Sequence, residues 1–141
     1  MRIATSTAGF EHIADLPFGE RRFSPNEAIF RQGQPCDAVY LVHSGAVELA
    51  FRDDLGTRHS LRTAVAGDLL GLPAAISSHP YSKEAVALEP AVLYRIEVSS
   101  FLAFMETHPE SRMRALSCLT EDTVAMQALR RRLLESPAIN A

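Results

Sequence analysis

Gly67-Asp68-Leu69-Leu70-Gly71-Leu72-Pro73-Ala74-Ala75-Ile76, continued by Ser77-Ser78-His79-Pro80-Tyr81-Ser82, lies between two stretches of strand-like alternation. Two glycines stand four residues apart. A short apolar turn follows, too brief for a core helix, and alternation resumes at Val86. A glycine turn that opens a helix leaves backbone N–H groups with no helical acceptor. Those groups and the helix dipole point the same way, which suits an anion. The plainer reading is a turn that only carries the chain from one strand to the next. The flanking sequence decides between them.

Upstream, Arg22-Phe23-Ser24 and Ala28-Ile29-Phe30-Arg31 read as short strands, and Val39-Tyr40-Leu41-Val42 is a wholly apolar one. Val47, Leu49 and Phe51 alternate with Glu48 and Arg52. Leu61, Thr63 and Val65 alternate with Ser60 and Arg62. Downstream, Val92, Tyr94 and Ile96 alternate with Arg95 and Glu97. Period-two alternation sends one set of side chains inward and the other to water. Gly33, Gly45, Gly56 and Gly67 recur at intervals of 12, 11 and 11 residues. Regular turn signals between short strands predict a sandwich or barrel, not a βαβ sheet. Asp53-Asp54-Leu55-Gly56 reads as a hairpin loop.

After Ile96 the period changes. Phe101, Leu102 and Met105 have helical spacing. Thr107 and Glu110 have capping-box spacing, with Pro109 in the first turn. From there to about Leu134 strong helix formers run without glycine or proline, which predicts one helix of roughly seven turns. Leu119, Met126 and Leu133 recur every seven residues on it, with Leu116 and Leu129 nearby. The stripe either packs on the strand domain or forms a seam with a second copy of the chain. Asp122, Thr123 and Arg130 interrupt it. Because the helix outruns the domain it would cover, a homodimer is expected. Arg130-Arg131-Arg132 reads as the solvated helix end, where cations complement the dipole.

The 141 residues suffice for one domain with a core, and the net charge of −3 argues against a whole-surface nucleic-acid binder. Cys36 and Cys118 provide no disulfide framework and too few thiolates for an iron–sulfur cluster or a zinc ribbon. The N-terminus lacks the apolar core of a secretory signal, and no apolar run reaches membrane-spanning length. A cytoplasmic location, with no membrane partner, follows as the expectation. Phe10, Ile13 and Leu16 suggest a turn or two of helix ahead of Pro17.

The order of these elements resembles the cyclic-nucleotide-binding domain, and most closely the sensor half of Crp/Fnr transcription regulators. Ala28-Ile29-Phe30-Arg31-Gln32-Gly33 resembles the family's opening strand and turn. Ala38 to Val47 resembles its central hairpin, and Ala66-Gly67-Asp68-Leu69-Leu70-Gly71 the start of its ligand cassette. The resemblance spans about residues 20 to 134. It implies a mainly β, jelly-roll (double-stranded β-helix) fold with flanking helices and a long C-terminal dimerisation helix. It divides the chain into a lead-in (1–20), a β-roll sensor (21–97), a helical segment (98–135) and a tail (136–141). The implied ligand site is the cassette of Gly71, Leu72, Pro73, Ala74, Tyr81, Ser82 and Lys83. The implied dimer helix presents Leu116, Leu119, Thr123, Met126, Arg130 and Leu133.

The cassette departs from the nucleotide-binding pattern. The acidic residue that takes the ribose hydroxyl is replaced by Leu72, and the arginine that pairs with the cyclic phosphate by Tyr81. Ser82 matches the family's small hydroxyl residue, and Lys83 offers a point charge but no fork. Losing one desolvated charged partner typically costs about 2–5 kcal/mol. A cyclic nucleotide is therefore disfavoured, and no cofactor is assigned. The family's regulators continue into a helix-turn-helix DNA reader, for which the residues up to Ala141 leave no room. DNA contact is expected only through a segment absent here. The expected role is that of an allosteric sensor, not an enzyme, which relays a small-molecule effector's state through the dimer helix.

Two other classes compete. A dimeric interaction module with a dead pocket would use the same core and helix. A cupin-type metalloenzyme needs clustered histidines, whereas His12, His43, His59, His79 and His108 are scattered. His43, His79 and His108 are nominal haem ligands, for which a surface or hydrogen-bonded role is the simpler reading. No nucleophile–base–acid set stands out.

Overall fold

The computed structural model describes residues 16–114. The expected N-terminal turn at Phe10 and Ile13 lies outside that range. So do His12, Cys118 and the whole proposed seam from Leu116 to Leu133.

Among the described residues, eight strands form two antiparallel four-stranded sheets. The first sheet contains β1 (Gly19–Phe23), β8 (Ala91–Glu97), β3 (Ala38–Ser44) and β6 (Leu69–Leu70), in that order. The second contains β2 (Ala28–Phe30), β7 (Glu84–Ala87), β4 (Val47–Arg52) and β5 (Arg58–Ala64). Helix α1 (Leu72–Ser77) bridges β6 and β7, and α2 (Val98–Thr107) follows β8. The strands cross repeatedly between sheets, as a jelly roll requires.

The core has two parts. Phe30, Tyr40, Val42, Leu49 and Leu93 belong to the cluster shared by the two sheets. Val39, Leu41, Tyr94 and Ile96 point from the opposite face of β3 and β8 and pack with Leu72, Phe101 and Phe104 of the helices. This explains the wholly apolar run in β3: it is buried on both faces. The same holds for β8, where Leu93, Tyr94 and Ile96 are all inaccessible. Burying such side chains is worth about 1.5–3 kcal/mol each, and it fixes α2 to the first sheet through Phe101 and Phe104.

The alternation expected in β5 fails midway, for a local reason. Leu49 pairs with Arg62, but Ala50 pairs with Ser60, so Leu61 is an extra residue on β5. A bulge of this kind reverses the inside–outside phase. Thr63 and Val65, expected inside, are exposed, while Ala64 is fully buried. Across the ladder Ala50 is buried, and Phe51 is only half-buried against His59.

The expected capping box at Thr107 is not formed. Thr107 ends α2, and its hydroxyl donates back to the Phe104 carbonyl at 3.1 Å. The next helical stretch, over 109–114, starts one residue later: the N–H groups of Ser111 and Arg112 donate to the His108 carbonyl. Pro109 is thus in its first turn.

The turn glycines have positive φ, and their surroundings differ. At Gly45 (φ +90°) a Cβ would come within 2.5 Å of the Pro90 carbonyl oxygen and 2.7 Å of Ala91 Cα. At Gly56 (φ +84°) it would meet nothing within 4 Å. Gly56→Ala should therefore cost about 1 kcal/mol, the left-handed penalty alone. Gly45→Ala should cost about 3 kcal/mol or more, since backbone must also move. Urea unfolding of the two variants checks the difference; equal costs would contradict the close β3–β4 turn.

Candidate functional site

The segment from Gly67 to Lys83 leaves the first sheet at Gly67 and enters β7 of the second sheet after Lys83. The Gly67 N–H donates to the Val42 carbonyl at 2.8 Å, and the Val42 N–H donates to the Asp68 carbonyl at 2.9 Å. The Asp68 carboxylate closes the turn by accepting the Val65 N–H at 2.9 Å. Leu69 and Leu70 then pair with Leu41 and Tyr40. Gly71, at φ +88°, caps α1. A Cβ there would lie 3.1 Å from Tyr81 Cε1 and 3.3 Å from the Ala38 carbonyl oxygen. Glycine is needed for its backbone angle and for this close approach.

Tyr81 is held from four directions. Its N–H donates to the Gln34 carbonyl at 3.0 Å, and its carbonyl accepts the Gly33 N–H at 2.8 Å. Its hydroxyl donates to the Ala38 carbonyl at 2.6 Å. Its ring stacks on Phe30, with centroids 3.9 Å apart and planes 10° from parallel. Burial, reinforced by the neighbouring Cys36, drives the phenol well above its ordinary range, so it is a proton donor at neutral pH. Cys36 also faces the Ala38 carbonyl, at 3.7 Å, and burial pushes its thiol up.

Six of the seven cassette residues named from sequence line one cavity: Gly71, Pro73, Ala74, Tyr81, Ser82 and Lys83. Leu72 does not. It is 2% exposed and packs with Tyr94, Ile96 and Phe101 in the helix-side cluster. Phe30, Leu49, Arg62, Leu69 and Leu70 complete the wall. Arg62 escaped the sequence reading because the bulge at Leu61 turns it inward. The cavity holds about 20 Å³, room for a water molecule and little else. The Tyr81 ring forms part of its wall.

Lys83 is itself 8% exposed. Next to it, Glu84 is clamped by Arg52 and Arg58, each at 3.3 Å. Arg58 also pairs with Glu48, and its hydrogen bond holds the Glu48 carboxyl below the usual range. This network pins the start of β7, and with it the cassette's exit.

The described histidines do not converge. His59 pairs with Asp53 at 2.8 Å in the β4–β5 hairpin. His43 stacks on Tyr94, with its Nδ1 buried and unpaired. His108 stacks on Phe104. Among the described residues no three His, Cys, Asp or Glu side chains gather as a metal would require. No described helix is long and apolar enough to cross a membrane.

Residues 20–108 match the family described as the cyclic nucleotide-binding domain. The chain belongs to that family. The Thermus thermophilus catabolite activator protein is 28% identical, with a TM-score of 0.69, over 83% of this chain and 55% of its own. The Xanthomonas campestris regulator CLP, described as c-di-GMP responsive, has a TM-score of 0.72 at 20% identity over 84% of this chain and 60% of its own. The sensor domain of the Pseudomonas aeruginosa regulator DNR has a TM-score of 0.63 at 21% identity, over 85% of this chain and 77% of that one. Mouse and human patatin-like phospholipase domain-containing protein 6 are 27% identical over 106 residues, 70% of this chain. This chain spans only 8% of their length, and nothing of the phospholipase in their name is carried over. The resemblance to the sensor half of Crp/Fnr regulators thus stands, with the jelly-roll fold expected from it.

Tyr81→Phe keeps the ring and removes the bond to Ala38, leaving a buried carbonyl without that donor. Stability should fall by about 1–2 kcal/mol, measured by urea unfolding. An unchanged midpoint would mean that the phenol does not secure the cassette.

Proposed function

We propose that this chain is the regulatory sensor domain of a Crp/Fnr-type protein whose pocket does not take a cyclic nucleotide. The observation that carries the proposal is Tyr81. At the position expected for the phosphate-pairing arginine stands a neutral phenol, stacked on Phe30 and bonded to the Ala38 carbonyl. Leu72, at the position of the ribose-binding carboxylate, has its side chain in the core. A cyclic nucleotide entering here would meet neither anchor, and it would have to displace the Tyr81 ring, beside which only about 20 Å³ is free. With both charged partners gone, affinity falls by several powers of ten.

The output is proposed to run through the segment from residue 98 onward. Helix α2 packs on the first sheet through Phe101 and Phe104, so a shift of α1 and the cassette would press on it. From there the state passes to the C-terminal residues and to a second copy of the chain, along Leu116, Leu119, Thr123, Met126, Arg130 and Leu133. An effector shifts that equilibrium only by its difference in affinity for the two arrangements. DNA would be reached through a further segment of the parent protein. The nearly filled cavity favours one second reading: a dimeric interaction module whose pocket has lost its ligand.

Cyclic AMP and cyclic GMP at 1 mM, about the Kd for −4 kcal/mol, should leave the melting temperature unchanged, and the full chain should sediment as a dimer that Met126→Asp dissociates. Micromolar binding of either nucleotide, or a monomer unaffected by that substitution, would overturn the proposal. A dimer without response to any nucleotide, acyl-CoA or small organic acid would favour the interaction module.

A further inference from the structure

Helix α1 borders a second cavity. This groove lies between α1 and α2 and holds about 370 Å³, against about 20 Å³ in the cassette cavity. Pockets for small molecules fall at about 300–1,000 Å³ and combine apolar walls with a few polar groups. Here α1 supplies Ala74 and Ala75, α2 supplies Val98 and Leu102, and Pro35, Cys36 and Pro80 come from the connecting loops. None of the described lining residues is a carboxylate, a lysine or an arginine. The remaining two, Ser78 and His79, stand at the C-terminal end of α1. Both are exposed, and neither side chain has a hydrogen-bond partner among the described residues. Their backbone N–H groups are already taken by the Ala74 carbonyl, so the two side chains are what the groove offers to a ligand.

Resting on the sensor reading above, we propose that this groove takes a small neutral molecule with a two-ring apolar body and one hydrogen-bonding group. Size and charge both argue for that class. The volume is more than twice the ~150 Å³ that holds benzene. An uncharged lining cannot offset the desolvation of an ionised ligand. Ser78 and His79, adjacent in sequence, receive the hydrogen-bonding group. Because the two helices form the walls, an occupant touches both. Ala74 lines this groove and the cassette cavity alike, and Cys36 packs against both core clusters. An occupant is therefore in contact with the cassette and with α2 at once.

The test uses indole as the probe, at about pH 8 so that His79 is neutral. 1-Methylindole and indole-3-acetate are the controls for the hydrogen bond and the charge. Cys36 is a built-in reporter: in a full-length Cys118→Ser chain it is the one thiol, and an occupant should shield it from N-ethylmaleimide. Indole should bind at submillimolar strength by calorimetry, slow the alkylation of Cys36 several-fold at saturation, and shift the amides of Ala74 and Leu102. 1-Methylindole should bind about fivefold more weakly, and indole-3-acetate about tenfold more weakly or worse. Leu102→Trp, which fills the groove from a partly exposed wall, should weaken indole binding about tenfold. Val98→Trp serves the same purpose should that variant not fold. Neither binding nor protection of Cys36 would overturn the proposal, as would undiminished binding by the tryptophan variant. Equal binding of indole-3-acetate would overturn the ligand class while leaving the sensor reading in place. Micromolar cyclic nucleotide binding would instead sink the sensor reading as stated and leave the occupancy of the groove standing.

Discussion

The hydroxyl of Tyr81 donates a hydrogen bond to the carbonyl of Ala38, across 43 residues of chain, and the placement of the cassette's end depends on that bond. It joins the end of the cassette to the first residue of β3. It brings the Tyr81 ring against Phe30 and within contact of Gly71, where any side chain would intrude. Both backbone groups of Tyr81 are also taken, by Gln34 and Gly33. A residue fixed at so many points is part of the fold as much as of the site. Its ring, with Phe30 and Gly71, lines the cassette cavity.

That arrangement depends in turn on two-sided burial in the first sheet. β3 and β8 have the opposite sheet on one side and the helices on the other, so their sequences are apolar on both faces. The consequence is mechanical. α1 and α2 share a cluster with Leu72, Tyr94 and Phe101, and Leu69 of β6 belongs to that cluster while also lining the cavity. Cores of this density do not deform gradually.

Much of the fold was legible in the sequence. The positive-φ turns at Gly33, Gly45, Gly56 and Gly67 fall where regular spacing placed them, and the run from Val39 to Val42 is the double-sided strand its composition implies. What escaped the reading has identifiable causes. One extra residue at Leu61 inverted the pattern of β5, and with it hid Arg62, because a bulge leaves no mark in hydrophobic periodicity. Thr107 and Glu110 had the spacing of a capping box, yet the Thr107 hydroxyl bonds back into α2. Spacing does not reveal to which helix a hydroxyl belongs. In the cassette, the sequence marked the altered positions. It did not distinguish Leu72, which faces the core, from Tyr81, which fills the cavity, because both are apolar enough for either place.

The central claim is that, without ligand, the Tyr81 ring lies in the slot against Phe30 and Gly71. Proton NMR of the ligand-free chain, with the three tyrosines assigned, tests it most directly. The account predicts nuclear Overhauser contacts from the Tyr81 ring to the Phe30 ring and to the Gly71 α-protons, and a hydroxyl proton slow to exchange. Averaged, solvent-like ring shifts for Tyr81, with neither contact present, would contradict it.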